Sequence, residues 1–179
     1  MKLQRIICRI LYYYGARHLP ASTNRFFGKL SKEIRYQLCK RIFKRCGIGV
    51  NIERGAVFGA GYDIEIGDYS GMGINAVIPD GTIIGKYVMM GPNVFALSRN
   101  HRFDRIDIPI QHQGYSETFP LRIEDDVWIG RDVTILPGRT IRRGCIVGAC
   151  CVLTKDFAEY SVIVGNPSRC VKSRIQDKK

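Results

Sequence analysis

IGVNIE RGAVFG AGYDIE IGDYSG MGINAV IPDGTI IGKYVM MGPNVF, residues 48–95, repeats every six residues without a break. The first position of each six is Ile48, Arg54, Ala60, Ile66, Met72, Ile78, Ile84 and Met90. The second is glycine in every six but one, where Pro79 stands. The fifth is Ile52, Phe58, Ile64, Ser70, Ala76, Thr82, Val88 and Val94, small or apolar throughout. An α-helix repeats its apolar face every 3.6 residues and a strand every 2, so a sustained period of six is neither. It suits a short strand followed by a tight corner. Three such strands close a triangular turn of about 18 residues, and turns stack at the strand spacing of roughly 4.8 Å. First-position aliphatics then point into a prism, each contributing about 1.5–3 kcal/mol when fully buried. The glycines fall where backbone crowds backbone and where corner dihedrals resist a Cβ. The pattern predicts an all-β fold, a parallel β-helix.

The sixes stop at Phe95 and resume at Ile123 as IEDDVW IGRDVT ILPGRT IRRGCI VGACCV LTKDFA. First positions are again aliphatic, from Ile123 through Ile129, Ile135, Ile141 and Val147 to Leu153. The segment 96–122 does not divide into whole sixes and must leave the prism as an excursion. Long loops on a rigid scaffold carry function more often than stability. This one holds His101 and His112, two of the three histidines in the chain. Two residues break the pattern. Arg54 takes an inward first position and Arg139 a fifth position, and a buried unpaired guanidinium is very costly. Either these side chains escape at an edge or corner, or the register is locally different there. After Leu153 the repeat decays to Gly165-Asn166-Pro167, where proline is expected to end strand pairing before a short basic tail.

The 179 residues make one domain with a small appendage: a basic extension over 1–46, the β-helix over 47–167, and a tail over 168–179. Seven cysteines form an odd set without a CxxC pair, which argues against a disulfide framework and a zinc knuckle and for a reducing compartment. No apolar run approaches the ~20 residues that span a bilayer, and no signal-peptide pattern is seen, so a cytoplasmic protein is expected. The net charge of +12 is uneven. Residues 1–46 hold twelve Lys or Arg and one acid, Glu33, whereas the remainder holds sixteen bases and fifteen acids. Helical periodicity over 1–14 sets Leu3, Ile6, Ile7, Ile10, Leu11 and Tyr14 on one face and Lys2, Arg5 and Arg9 on another. A second helix, capped by Ser22 or Thr23 and reaching about Arg45, carries Phe26, Phe27, Leu30, Ile34, Leu38 and Ile42 as its stripe. Two readings stand side by side: a cap on the open end of the solenoid, and a cationic face that touches the inner surface of a membrane. No nucleic-acid motif accompanies the charge.

Four segments go beyond the repeat: SRNHRFD (98–104), DVWIG (126–130), VGACCVLTKD (147–156) and GNP (165–167). With the sixes they resemble the hexapeptide-repeat acyltransferases, in the sugar O-acetyltransferase branch of maltose, galactoside and capsular or exopolysaccharide acetyltransferases. The resemblance runs over about 48–172. It implies a left-handed β-helix, a homotrimer with active sites between subunits, and acetyl-CoA as donor without a metal.

Under that resemblance His101 matches the loop histidine that acts as general base. A sugar hydroxyl is a poor nucleophile, and an imidazole, which titrates near neutral pH, can take its proton. His112 has no matching role. Asn75 and Asp80 match positions lining the acceptor pocket, though Asn and Asp also suit corners. Trp128 matches a tryptophan beside the cleft. Ala149, Thr154 and Lys155 match positions along which the CoA arm lies, and Lys155, Arg169 and Lys172 are candidates for its phosphates. Arg131 stands after Gly130 where relatives often carry a small residue. Asp104 is expected either to orient the histidine loop or to be solvated. The implied activity is acetyl transfer to a carbohydrate hydroxyl, in polysaccharide biosynthesis. A lipid-linked acceptor would make membrane docking useful. N-acetylation of an amino sugar and a non-catalytic scaffold are the alternatives. A zinc-dependent carbonic anhydrase on the same repeat needs three converging histidines, and His18 lies in the extension.

Overall fold

Strand pairing closes the repeat into a solenoid. The computed structural model describes residues 2–175, with short strands stacked in parallel on three faces. The first face stacks Arg45–Cys46, Glu65–Ile66, Ile83–Ile84, Arg122–Ile123 and Thr140–Ile141. The second runs from Asn51–Ile52 through Gly71–Met72, Met89–Met90, Trp128–Ile129 and Ile146–Val147 to Ser161–Val164. The third joins Val57, Val77, Phe95–Ala96, Thr134–Ile135 and Val152–Leu153. The expected parallel β-helix with a short α-helical N-terminal extension is what the chain forms.

From Ile64 onward the inward residues are the fifth and first positions. Ile64 with Ile66, Ser70 with Met72, Thr82 with Ile84 and Val127 with Ile129 are buried. Glu65 pairs with Ile83 and Arg122 with Thr140, in each case exactly three sixes further along the chain. The first turn departs from this. Arg45 pairs with Glu65 and Asn51 with Gly71, so each partner comes two positions later than three sixes would place it. Two extra residues between Phe58 and Glu65 shift the earlier register, so Val50, Ile52, Ala56 and Phe58 fill the prism. Ile48 therefore faces solvent and Ala60 sits at the widened corner, which corrects the expectation that first positions point inward here, while Arg54 is exposed because the register is locally different, one of the two outcomes anticipated for it. A six-letter frame cannot register a two-residue insertion when the composition on both sides is the same.

The fourth position, unremarked in the sequence pattern, makes the corners. Tyr69, Asn75, Tyr87, Asn93, Asp126, Asp132 and Cys150 all have positive φ near 55–60°. Side chains there stack from turn to turn: the Tyr69 and Tyr87 rings lie 5.6 Å apart at 9°, and Asn75 Nδ2 donates to Asn93 Oδ1. The second-position glycines answer to crowding. A Cβ on Gly73 would lie 2.0 Å from the Gly91 carbonyl oxygen.

The two helices, α1 (Lys2–Tyr14) and α2 (Gly28–Ile42), close the N-terminal end. They cap the open end of the solenoid, one of the two readings of the extension, with a mixed polar and apolar side turned in. Cys8 and Tyr12 of α1 and Ser31, Arg35, Cys39 and Ile42 of α2 are buried, while most of the apolar stripes face outward. The physical reason is the open edge of the first turn, whose unpaired carbonyls need donors. Arg5 Nε and Nη2 donate to Ile42 O, and Nη2 also to Tyr62 O. Arg35 donates to Ile52 O and Pro20 O, and the Tyr12 and Tyr13 hydroxyls to Ala56 O and Gly59 O. Long polar side chains reach the edge where aliphatic ones would leave it unsatisfied. Tyr12, Phe43 and Phe58 fill the remaining space.

α2 also starts later than expected. Neither Ser22 nor Thr23 caps it: Asn24 Oδ1 accepts from the Phe26 and Phe27 amides, and Ser22 bonds Glu53 instead. At the other end pairing does not stop at Pro167. Arg169–Ser173, expected as tail, returns antiparallel to Ser161–Val164, so Gly165–Ser168 is a turn.

Candidate active site

The excursion leaves the prism at the corner between the third and first faces. Phe95 pairs with Thr134 on one face and Ile83 with Arg122 on another, so the insertion leaves the register undisturbed on both sides of it. Its two limbs bond each other: Arg102 N to Gly114 O, Ser116 N to Asn100 O, and Phe119 N to Ser98 O. His101 is thereby bridged to Tyr115, with ring centroids 4.4 Å apart and planes tilted by 33°. The Arg99 guanidinium lies 4.0 Å from the same tyrosine ring. A cavity of about 760 Å³ opens between this loop and the corner residues Leu136–Arg139, with Thr154 beside them. His101 stands exposed on its wall.

The cavity's charged groups are mostly tied to each other. Asp104 does not reach His101; it pairs with Arg102 at 3.3 Å, and that contact holds its carboxyl below the ordinary aspartate value. Arg139 leaves the prism at the corner, one of the two outcomes anticipated for it. Its Nε donates to Pro137 O and its Nη1 to Thr154 O, and Asp156 lies 3.5 Å away. Thr154 is fixed in turn by Ser168, whose buried Oγ accepts from the Thr154 amide and meets its hydroxyl at 3.0 Å. The turn at Gly165–Ser168 is thus pinned to the cavity floor.

Of the sequence candidates, His101 and Thr154 line this cavity. Lys155 follows Thr154, exposed, with its Nζ 5.6 Å from the Phe157 ring. Arg169 is exposed just beyond the turn. Asp80 sits one turn earlier on the same corner, accepting from the Asp63 and Gly81 amides. Asn75 and Ala149 lie on a different corner, between the second and third faces, where Asn93 Nδ2 extends the Asn75 ladder to Asp132 Oδ1. Trp128, half exposed, and Lys172 lie on the second face. Within one chain, then, the candidates do not converge: His101, Thr154, Lys155 and Asp80 share one corner, Asn75 and Ala149 another, and Trp128 and Lys172 the second face. His112 ends a 3₁₀ turn, Ile110–His112, and its Nε2 meets Gln111 Nε2 at 3.0 Å, apart from the cavity lining. Tyr115 and Arg139 went unnoticed as site residues. The signal for Arg139 was its misfit in the repeat, and only the loop's folding back makes Tyr115 a neighbour of His101.

Residues 120–155 match the bacterial transferase hexapeptide model (six repeats), and residues 44–62 match the hexapeptide repeat of succinyl-transferase. A Schizosaccharomyces pombe protein provisionally named an acetyltransferase is 34% identical over 123 residues, which are 68% of this chain and 58% of that protein. The chain thus spans less than two thirds of that relative. The galactoside O-acetyltransferase of Escherichia coli is 32% identical over 146 residues, 78% of this chain and 68% of the enzyme. Among solved structures, a hexapeptide-repeat acetyltransferase of Vibrio cholerae complexed with acetyl-CoA superposes with a TM-score of 0.76 at 26% identity, covering 97% of this chain and 86% of that one.

Proposed function

Because the chain belongs to the hexapeptide-repeat acetyltransferase family, we propose that it moves an acetyl group from acetyl-CoA to a carbohydrate hydroxyl, with His101 as general base. The observation that carries this reading is His101 itself, exposed on the wall of the 760 Å³ cavity and packed against the Tyr115 ring. The acceptor oxygen attacks the thioester carbonyl while its proton passes to the imidazole. The C–S bond breaks, and the departing sulfur leaves as CoA thiol once it takes a proton. Transfer is direct, with no acyl-enzyme. Contact with the Tyr115 ring limits the rotation of the imidazole and so helps orient the base towards the cavity. Thr154, Lys155 and Arg169 run from that floor towards the last turn, and the two cations suit the CoA phosphates through charge-assisted hydrogen bonds. The exposed corner at Ala149 suits the pantetheine arm, with Lys172 further along.

The separation of the candidates, with His101 at one corner and Asn75 and Trp128 elsewhere on the prism, supports a homotrimer. In that assembly the His101 cavity of one chain faces the Asn75 and Trp128 side of another, and Asn75, Asp80 and Trp128 bind the acceptor there. The acceptor class is a saccharide of polysaccharide biosynthesis, acetylated on the cytoplasmic side. The test is CoA-thiol release from acetyl-CoA over a panel of glycosyl acceptors and amino sugars, with products identified by mass spectrometry. Release that requires a free hydroxyl, from a particle of three times 20.3 kDa, is expected. No release with any saccharide, release with amino groups alone, or an active monomer would overturn the reading.

A further inference from the structure

The buried sides of α1 and α2 carry Tyr12 and Arg35 as donors to the first turn beside Cys8, Cys39 and Ile42, and most of their larger apolar residues lie outside. Ile7, Leu11 and Tyr14 of α1 are exposed, as are Phe26 and Phe27 just before α2 and Leu30 in its first turn, with Tyr14 at 86% and Phe26 at 82%. An outward apolar surface of this extent, bordered by charge, marks an interaction site on a water-soluble fold. The border is cationic. Lys2, Arg25, Lys29 and Lys40 are exposed around it, and Glu33, the single acid of residues 1–46, is bonded to Gln37. Among the described residues no helix is long and apolar enough to cross a membrane. Helices with an apolar face, aromatic residues and a cationic rim lie in the interface of a bilayer.

We propose that the outward faces of α1 and α2 are a docking surface for an anionic phospholipid bilayer, the aliphatic and aromatic side chains entering the headgroup boundary and the four cations meeting lipid phosphates. Charge selects this occupant over a second copy of the chain. The same face of another copy carries the same positive excess, and residues 47–179, with sixteen bases against fifteen acids, have no acidic surplus to receive it. The cations that cap the first turn are not available for lipid: Arg5 and Arg35 are committed to backbone carbonyls. The docking surface is therefore built from the residues the cap does not use. The inference stands apart from acetyl transfer, since its readout involves neither donor nor acceptor.

The experiment is co-sedimentation of the full-length protein with vesicles of phosphatidylcholine alone and of phosphatidylcholine mixed with phosphatidylglycerol. Binding to the mixed vesicles is expected, weakening as salt shortens the screening length from about 10 Å at 0.1 M to about 3 Å at 1 M. Each interfacial cation is worth roughly fivefold in partitioning, so Lys29→Ala with Lys40→Ala should lower it by roughly twenty-five-fold. Leu11→Gln with Leu30→Gln should abolish it while thermal unfolding and sedimentation coefficient stay at the wild-type values, both side chains being exposed. Absence of binding, equal binding to neutral vesicles, or a leucine variant that changes the oligomeric state would each overturn the proposal, the last by showing that another copy covers this face.

Discussion

Glu53→Gln tests how the helical extension is fastened. The Glu53 carboxylate accepts from the Ser22 amide and hydroxyl, from Asn51 Nδ2 at 3.0 Å and from the Arg54 amide at 3.3 Å, and lies 3.6 Å from Arg35. Arg35 is fully buried and its Nη2 has no other partner. The glutamine amide offers one acceptor where the carboxylate offers two, and it turns an NH₂ towards donors. It also leaves the guanidinium without a counter-charge. Breaking one side of a buried pair costs about 3–5 kcal/mol. That energy holds the extension to the first turn, so its loss should appear as local opening. In deuterium exchange read by mass spectrometry, α2 amides should exchange roughly 10²–10⁴-fold faster in the variant, with the β-helix amides unchanged. The pH dependence follows from the carboxyl's lowered pKa. Burial acts to raise it, but the hydrogen bonds from Ser22, Asn51 and Arg54 outweigh burial. A lowered folded-state pKa stabilises above the unfolded value, about 4.3 for glutamate, and that stabilisation is lost as pH falls through the folded pKa. The difference between wild type and Gln variant should therefore be full at neutral pH and shrink in acid below about pH 4. Unchanged α2 protection in Glu53→Gln, or a difference indifferent to acid, would refute the reasoning.

His101→Ala should lower kcat by roughly 10²–10⁴-fold with the KM for acetyl-CoA and the melting temperature nearly unchanged, and His112→Ala should do much less; a His101 variant with wild-type kcat would remove the general base. Lys155→Ala combined with Arg169→Ala should raise the KM for acetyl-CoA more than about tenfold, since a hydrogen bond to a charged group is worth ~1.5–3 kcal/mol; an unchanged KM would place the phosphates elsewhere. Gly73→Ala should destabilise far more than Gly81→Ala in urea unfolding. The first sets a Cβ 2.0 Å from Gly91 O, while the second meets nothing within 4 Å and bears only the left-handed cost of about 1–2 kcal/mol at φ 77°. Equal losses would contradict the close stacking at the second position.

The fold was legible because burial alternates on a period that composition displays directly. Ile84, Ile123, Ile129 and Ile135 are buried first positions in both. What escaped the sequence is of two kinds. One is register: the two extra residues after Phe58 leave no compositional mark except the misfit of Arg54, and the Arg45–Glu65 pairing locates the longer first turn. The other is partner choice. Helical periodicity reports which residues share a face, and Ile7 and Leu11 do share one; it does not report what the neighbouring surface asks for. Here that surface is a row of carbonyls, so Arg5, Tyr12 and Arg35 turn in and the aliphatic stripe turns out. The site divides the same way. His101 was legible from its local motif, whereas Tyr115, on the returning limb of the loop, comes beside it only through the bonding of the two limbs.

Stability and chemistry are separated along the solenoid by this construction. The inserted loop enters at a corner, where the backbone already turns, and all three faces keep their pairing across it: Ile83 with Arg122, Met89 with Trp128 and Phe95 with Thr134. Buried files of side chains continue unbroken beneath the loop, from Ile84 to Ile123 and from Val94 to Val133. Loop residues can therefore be exchanged with little effect on the prism, and the predicted His101→Ala phenotype is a loss of rate without a loss of fold. Glu53 is the converse, placed in the first turn among buried partners and outside the residues that line the cavity. Its substitution should loosen the cap and leave the chemistry of assembled, folded protein intact. If both substitutions lowered kcat and melting temperature together, the loop and the cap would be energetically coupled, and the independence of corner insertions from the stacked faces would be wrong for this chain.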